Sequence, residues 1–163
     1  MRKYILFLFI TCFHISATAQ SDSAALYLRY PTIPYFTITK IADSSRFAKA
    51  DLNKKKATII FIFSPDCGHC QQKIKELIAE NTRFKKVQIV MASPLEHQII
   101  KKFYTEYKIA DYSNIIMGRD PSYFFGSFYS IRSLPGIFVY DKKGRLIKSL
   151  DGKSSIDEIA KAL

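Results

Sequence analysis

The sequence has no tryptophan, only three cysteines, six glycines and six prolines among 163 residues, and 14 acidic side chains against 25 Lys and Arg. So few cysteines exclude a small scaffold stapled by disulfides. Scarce glycine and proline, with 48% hydrophobic residues, exclude a low-complexity or disordered chain. The length suits one domain with a buried core. The shortage of acid leaves a formal charge of +11, which raises nucleic acid or an anionic surface as partners.

What is present begins with an address. Arg2 and Lys3 precede an apolar run from Tyr4 to Ile10, which fades through Thr11, Cys12 and Phe13 into the small and polar Ser16-Ala17-Thr18-Ala19-Gln20. A charged start, an apolar segment and a small-x-small site make a secretory signal peptide over residues 1–19, cut before Gln20 or one residue later. The strongly apolar part is shorter than the roughly twenty residues of a spanning helix. Retained, it would still tether the domain to a membrane. Cys12 is a poor lipidation site, since Ile10-Thr11 leads into it badly and apolar residues follow. Cleavage leaves 144 residues, a charge of +9 after loss of Arg2 and Lys3, and Cys67 and Cys70 as the whole cysteine content. Four residues form too small a loop for a cross-link to add much stability, so chemistry explains the pair better.

Residues 20–33 read as a lead-in, and 34–163 as one domain. Tyr35–Thr39 is an early strand, and Ala57–Phe63 is a continuous apolar, β-branched and aromatic run buried on both faces. A helix opens at the cysteines, with Ile74, Leu77 and Ile78 inward and Lys73, Lys75, Glu76 and Glu80 outward. Val87–Met91 is the next strand. Ser93-Pro94-Leu95-Glu96 then reads as a capping box for a helix burying Ile99, Ile100, Phe103, Tyr104 and Tyr107. Asn114–Met117 is a short strand, and Asp120-Pro121 opens a brief aromatic helix to about Tyr129. Gly136–Tyr140 and Arg145–Leu150 pair across the turn Asp141-Lys142-Lys143-Gly144, and Ser155 to Glu158 caps a last helix burying Ile156, Ile159 and Leu163. This alternation predicts one α/β domain with a central mixed sheet.

Cys67-Gly68-His69-Cys70 follows a buried strand and opens a helix, the arrangement of a redox-active dithiol. At a helix N-terminus, free backbone N–H groups and the dipole favour a thiolate at Cys67, and a protonated His69 would add to this. Asp66 opposes it. Cys70, within the first turn, is the less exposed. Cys67 is therefore the attacking sulfur, Cys70 resolves the mixed disulfide, and Gly68 keeps the approach open. Pro135, in Leu134-Pro135-Gly136 before a strand, cannot donate to a ladder, and a cis peptide there is a testable reading. No metal is expected, because Cys67, His69 and Cys70 need a fourth ligand and His97 sits in an ordinary helix start. Haem attachment fails because Gln71, not histidine, follows Cys70.

The run from Ile59 to Cys70, with Leu134-Pro135-Gly136 downstream, resembles the thioredoxin superfamily. Pro34-Tyr35-Phe36-Thr37-Ile38 and the long interval from Cys70 to Pro135 resemble its TlpA/ResA-like secreted branch. The resemblance implies a thioredoxin-like fold with an N-terminal β extension and an extra β–α unit between the dithiol and the proline. It implies a cis Pro135 facing the dithiol, with the backbone of Leu134 receiving a partner's extended chain. It also implies a monomeric periplasmic or secreted thiol–disulfide oxidoreductase, tethered to the inner membrane if the leader stays, that leans to reductase. Its partners would be protein thiols or disulfides and an upstream membrane or periplasmic electron carrier. It would use no cofactor beyond the Cys67–Cys70 disulfide.

The departures are specific. Asp66 stands where thioredoxin has an aromatic residue, Phe61 where it has a buried carboxylate, and Lys73 where many ResA-like members have Glu. Glu96 or solvent is left to deprotonate Cys70. The rival readings are a thiol peroxidase, from Ser64-Pro65-Asp66-Cys67, and a redox-inert binding module. Nucleic acid is not expected, because Lys54 to Lys56, Lys101, Lys102, Lys142 and Lys143 read as scattered over helix faces and turns.

Overall fold

The structure is a computed structural model and describes residues 24–163, so the leader and the first residues after it lie outside the described residues. In chain order come α1 (Leu26–Arg29), β1 (Thr37–Lys40), β2 (Arg46–Ala48), β3 (Ala57–Ile62), α2 (Gly68–Ala79) and β4 (Val87–Ser93). After these come α3 (His97–Glu106), β5 (Ile115–Arg119), α4 (Phe124–Phe128), β6 (Gly136–Tyr140), β7 (Leu146–Asp151) and α5 (Ile156–Lys161). The strands form one seven-stranded sheet in the order β2-β1-β5-β4-β3-β6-β7. β3, β4 and β5 run parallel, while β6, β7, β1 and β2 join antiparallel, so the sheet is mixed.

β3 sits inside the sheet because both its faces are apolar. Alternate residues point to opposite faces of a strand. Ile59 and Phe61 join Ile89, Met91, Ile137 and Val139 on the face covered by α2, α3 and α5. Ile60 and Ile62 join Val90, Ala92, Phe138 and Tyr140 on the other, under α4 and the N-terminal segment. Phe61 is fully buried in the same cluster as Cys70, and truncating such a residue costs about 3–5 kcal/mol. Between Cys70 and Pro135 the chain makes two β–α units, β4–α3 and β5–α4, and β1 with β2 extends the sheet beyond β5.

Several local expectations change. Ser93 ends β4 instead of capping α3, because its carbonyl accepts from Asp120 N–H and holds it in the sheet. The helix starts later, at His97, with Glu96 as its N-cap residue. Ile99 and Leu163 are exposed at 43% and 42%, because Ile100 and Phe103 form the inward stripe of α3 and leave Ile99 on its flank, and α5 ends at Lys161. Lys73 is buried, not outward: it follows Cys70 by three residues on the inward face of α2 and pairs with Glu76 at 2.6 Å. Residues 24–33 are more than a lead-in. Thr32 bridges Arg145, Ile33 is buried, and the Tyr27 ring lies edge-on to Phe138 at 5.1 Å. The Ser155–Glu158 capping box of α5 forms as expected, each residue's side chain accepting the other's backbone N–H.

Candidate active site

Ser64 and Pro65 follow the end of β3, and Cys67 N–H donates back to the Ser64 carbonyl at 3.1 Å. The Gln71 side-chain amide holds the Pro65 carbonyl at 2.8 Å. This tight turn sets the start of α2 just beyond the C-terminal end of the interior strand β3. Cys67 is the N-cap residue with an extended backbone, and its sulfur accepts the Cys70 N–H at 3.3 Å. That bond satisfies one of the donors a helix start leaves open and places partial positive charge on the sulfur. On its other side the Cys67 thiol lies 3.7 Å from the Leu134 carbonyl, to which it donates. The Leu134–Pro135 peptide is cis.

The two cysteines, both free thiols, occupy opposite environments. Cys67 is half-buried and Cys70 is fully buried in the core under α2. Burial pushes the Cys70 thiol up to about 12; its hydrogen bond to the Cys67 sulfur adds to this, and a Ser64 backbone hydrogen bond opposes it. Cys70 is thus held as a neutral thiol, while Cys67 is the sulfur open to a partner.

Of the other expected residues, Asp66, Gly68 and His69 are exposed. Neither Asp66 nor His69 has a hydrogen bond or ion pair among the described residues, so neither is fixed against the Cys67 sulfur. A Cβ on Gly68 would meet nothing within 4 Å, so the fold does not require glycine there. Glu96 is not placed to serve Cys70, because its carboxylate is 71% exposed and pairs with Arg119 at 2.5 Å. Phe61 offers no carboxylate, and among the described residues no acidic side chain acts on the Cys70 thiol. Among the described residues no three His, Cys, Asp or Glu side chains converge as a metal site.

The structure adds residues that the sequence did not single out. Cys67 opens into a cavity of about 500 Å³ lined by Phe63, Ser64, Leu95, Tyr123, Arg132 and Leu134 among others. Tyr123 has a left-handed backbone (φ 54°), is 49% exposed, and rests its ring on Gly126, where a Cβ would fall 2.2 Å from the ring. Its only trace in the sequence is the Tyr123-Phe124-Phe125-Gly126 run, which reads as core aromatics. Gly152, after β7, lies against Pro135: a Cβ there would sit 2.7 Å from the proline Cδ. Nothing local in the sequence links these two residues.

A thioredoxin-like domain profile matches residues 44–163. No curated protein sequence matches the chain significantly. Several solved structures share the fold. A secreted Mycobacterium tuberculosis disulfide oxidoreductase, homologous to E. coli DsbE, is 18% identical over 78% of this chain and 92% of its own, with a TM-score of 0.64. An exposed lipoprotein thioredoxin of Streptococcus pneumoniae is 22% identical over 80% of this chain and 100% of its own, with a TM-score of 0.61. A thiol-disulfide oxidoreductase of Bacteroides fragilis is 14% identical over 81% of this chain and 99% of its own, with a TM-score of 0.65. The matched profile covers most of the sequence and contains both cysteines and the cis proline, and the chain belongs to the thioredoxin-like family.

Proposed function

We propose that the protein is an extracytoplasmic thiol–disulfide oxidoreductase that exchanges disulfides with partner proteins through Cys67 and Cys70 and works as a reductant. The observation that carries this is the half-buried Cys67 sulfur at the start of α2, held by the Cys70 N–H and facing both a cavity and the Leu134 carbonyl. In the first step the Cys67 thiolate attacks one sulfur of a partner disulfide. A mixed disulfide forms, and the partner's other sulfur leaves as a thiolate that takes a proton. Cys70 then loses its proton and attacks the Cys67 sulfur, releasing the partner's second thiol. The partner gains two electrons and two protons, and Cys67–Cys70 becomes a disulfide. An upstream dithiol-class carrier, membrane-bound or periplasmic, returns the two electrons.

The environment of Cys70 sets the order. Its proton is held by burial and by the neighbouring Cys67 sulfur. Once Cys67 is bonded to a partner its charge is gone, and the second of these holds weakens. Cys70 is therefore inert until the partner is captured. With no acidic side chain acting on Cys70 among the described residues, solvent reaching the Cys67 cavity takes that proton.

The Leu134 carbonyl, before the cis Pro135, is positioned to receive an N–H of the partner's extended chain. The reductant direction is supported by the exposure of His69, which has no bond to the Cys67 sulfur. Stabilising the thiolate stabilises the reduced form and makes a couple more oxidising, and here only the helix start does so. Likeness to secreted and lipoprotein thioredoxins, together with the leader sequence, supports the extracytoplasmic placement. Among the described residues no helix is long and apolar enough to cross a membrane. Equilibration with glutathione tests the direction. A potential more negative than about −200 mV fits a reductant, and one near about −120 mV would mark an oxidant.

A further inference from the structure

The lysines that look scattered in the sequence are gathered by the sheet. Lys54, Lys55 and Lys56 lie immediately before β3. β4 pairs in parallel with β3, with Val87 opposite Ala57, so Lys85 and Lys86 enter at the same end. β6 is antiparallel to β3, with Tyr140 opposite Thr58, so the turn carrying Lys142 and Lys143 closes there too. Lys49, Lys54, Lys56, Lys142 and Lys143 line one open cavity of about 450 Å³.

Six of the seven lysines from these turns are exposed and Lys56 is half-buried. None of the seven is in an ion pair among the described residues. The adjoining carboxylates are already committed: Asp51 accepts the Ala48 N–H, Glu80 pairs with Arg83, and Asp141 pairs with Arg145. Cys67 follows the opposite end of β3, and six strand residues separate the two ends by roughly 20 Å.

We propose that this lysine end docks the protein on an anionic phospholipid surface, with Cys67 held at the far side of the sheet and facing away from the lipid. The composition of the patch selects this partner. Its free cations are all lysines, compact charges on flexible stems, whereas fixed bidentate recognition of phosphate or carboxylate favours arginine. The one arginine in the same turn, Arg145, is tied to Asp141. Among the side chains lining the lysine cavities only Tyr35 is a large exposed apolar one, too little for the apolar centre of a protein interface. Beside the patch stands Tyr35, 88% exposed with Lys49 Nζ 4.4 Å from its ring centroid, an amphipathic side chain suited to headgroup depth. Each juxtamembrane lysine strengthens binding about fivefold, and salt screens the attraction.

The test is co-sedimentation of the leader-free protein, residues 20–163, with vesicles of phosphatidylcholine, with and without one quarter phosphatidylglycerol. We expect the vesicles with phosphatidylglycerol to bind it, and the triple variant Lys55→Glu, Lys86→Glu and Lys142→Glu to weaken that binding by about 100-fold or more. Lys148→Glu, Lys153→Glu and Lys161→Glu, on β7, the loop after it and α5, change net charge equally and should weaken it less than about tenfold. Bound protein should react with a water-soluble maleimide at Cys67 as fast as free protein. Equal losses in the two triple variants, equal binding to pure phosphatidylcholine, or protection of Cys67 on binding would each overturn the proposal. So would single-stranded DNA that outcompetes the vesicles for the lysine end.

Discussion

The first turn of α2 holds the same functional group twice, in opposite surroundings. Cys67 meets solvent, a backbone N–H and a cavity. Cys70, three residues on, has no exposed surface and keeps its proton up to about pH 12. Helical spacing produces this contrast. Position one faces out at the strand–helix junction, and position four turns inward beside Ile74 and Leu77. A single motif therefore supplies both a nucleophile and a reserve thiol, without a charged residue to divide the labour.

The largest test of that division removes each sulfur. Cys67→Ser should abolish exchange with a small disulfide, a fall of at least about 1,000-fold, because Cys70 is buried and neutral. Cys70→Ser should keep the first attack and accumulate mixed disulfides that a non-reducing gel displays. Retained turnover in Cys67→Ser would show that Cys70 attacks on its own.

A second test uses pH. The fold favours the neutral Cys70 thiol and raises its pKa above the unfolded value near 9. Its contribution to stability is thus complete below about pH 9 and is lost as pH rises toward about 12, by up to roughly 1.4 kcal/mol per unit. Reduced protein should lose denaturant resistance over that window more steeply than Cys70→Ala, and parallel curves would contradict the assignment. Tyr129 and Tyr140, whose buried hydroxyls lie 2.7 Å apart, also titrate late, so the difference between the two proteins is the informative quantity.

Smaller effects probe the walls around Cys67. Gly152→Ala drives a Cβ to 2.7 Å from Pro135 and should cost about 1–3 kcal/mol and slow exchange with peptide disulfides. Gly126→Ala meets first the outer end of the Tyr123 ring, which is half-exposed and free to shift. It should leave stability nearly unchanged while altering rates for peptide disulfides and sparing a small disulfide. If both substrates change alike, the cavity does not contact the partner chain. His69→Ala should have the smallest effect, a shift of no more than about 30 mV in the glutathione equilibrium, because its side chain is exposed and unbonded. A larger shift would restore His69 as a tuning residue.

Much of this architecture was legible in the sequence because local patterns carried it. The two-faced apolar run of β3, the dithiol at a helix start, the Asp141–Gly144 hairpin and the Ser155 cap all depend on neighbours within a few residues. What escaped depends on distant partners. Ser93 has the composition of a cap, but Asp120 N–H holds it in β4. Lys73 is a separate, local case: it looks solvated by type, yet helical phase turns it inward to pair with Glu76 three residues on. Tyr123 and Gly152 reach Cys67 and Pro135 only through tertiary contacts. The lysine end is of the same kind, since register alone joins three separate turns.

The most direct measurement is the alkylation rate of each thiol in the reduced protein, resolved by mass spectrometry of its peptides across pH 6 to 10. Cys67 should react throughout at a rate that follows its thiolate, while Cys70 stays unmodified until the fold opens. Comparable rates at the two sulfurs, or faster modification of Cys70, would contradict the unequal pair on which the proposed exchange depends.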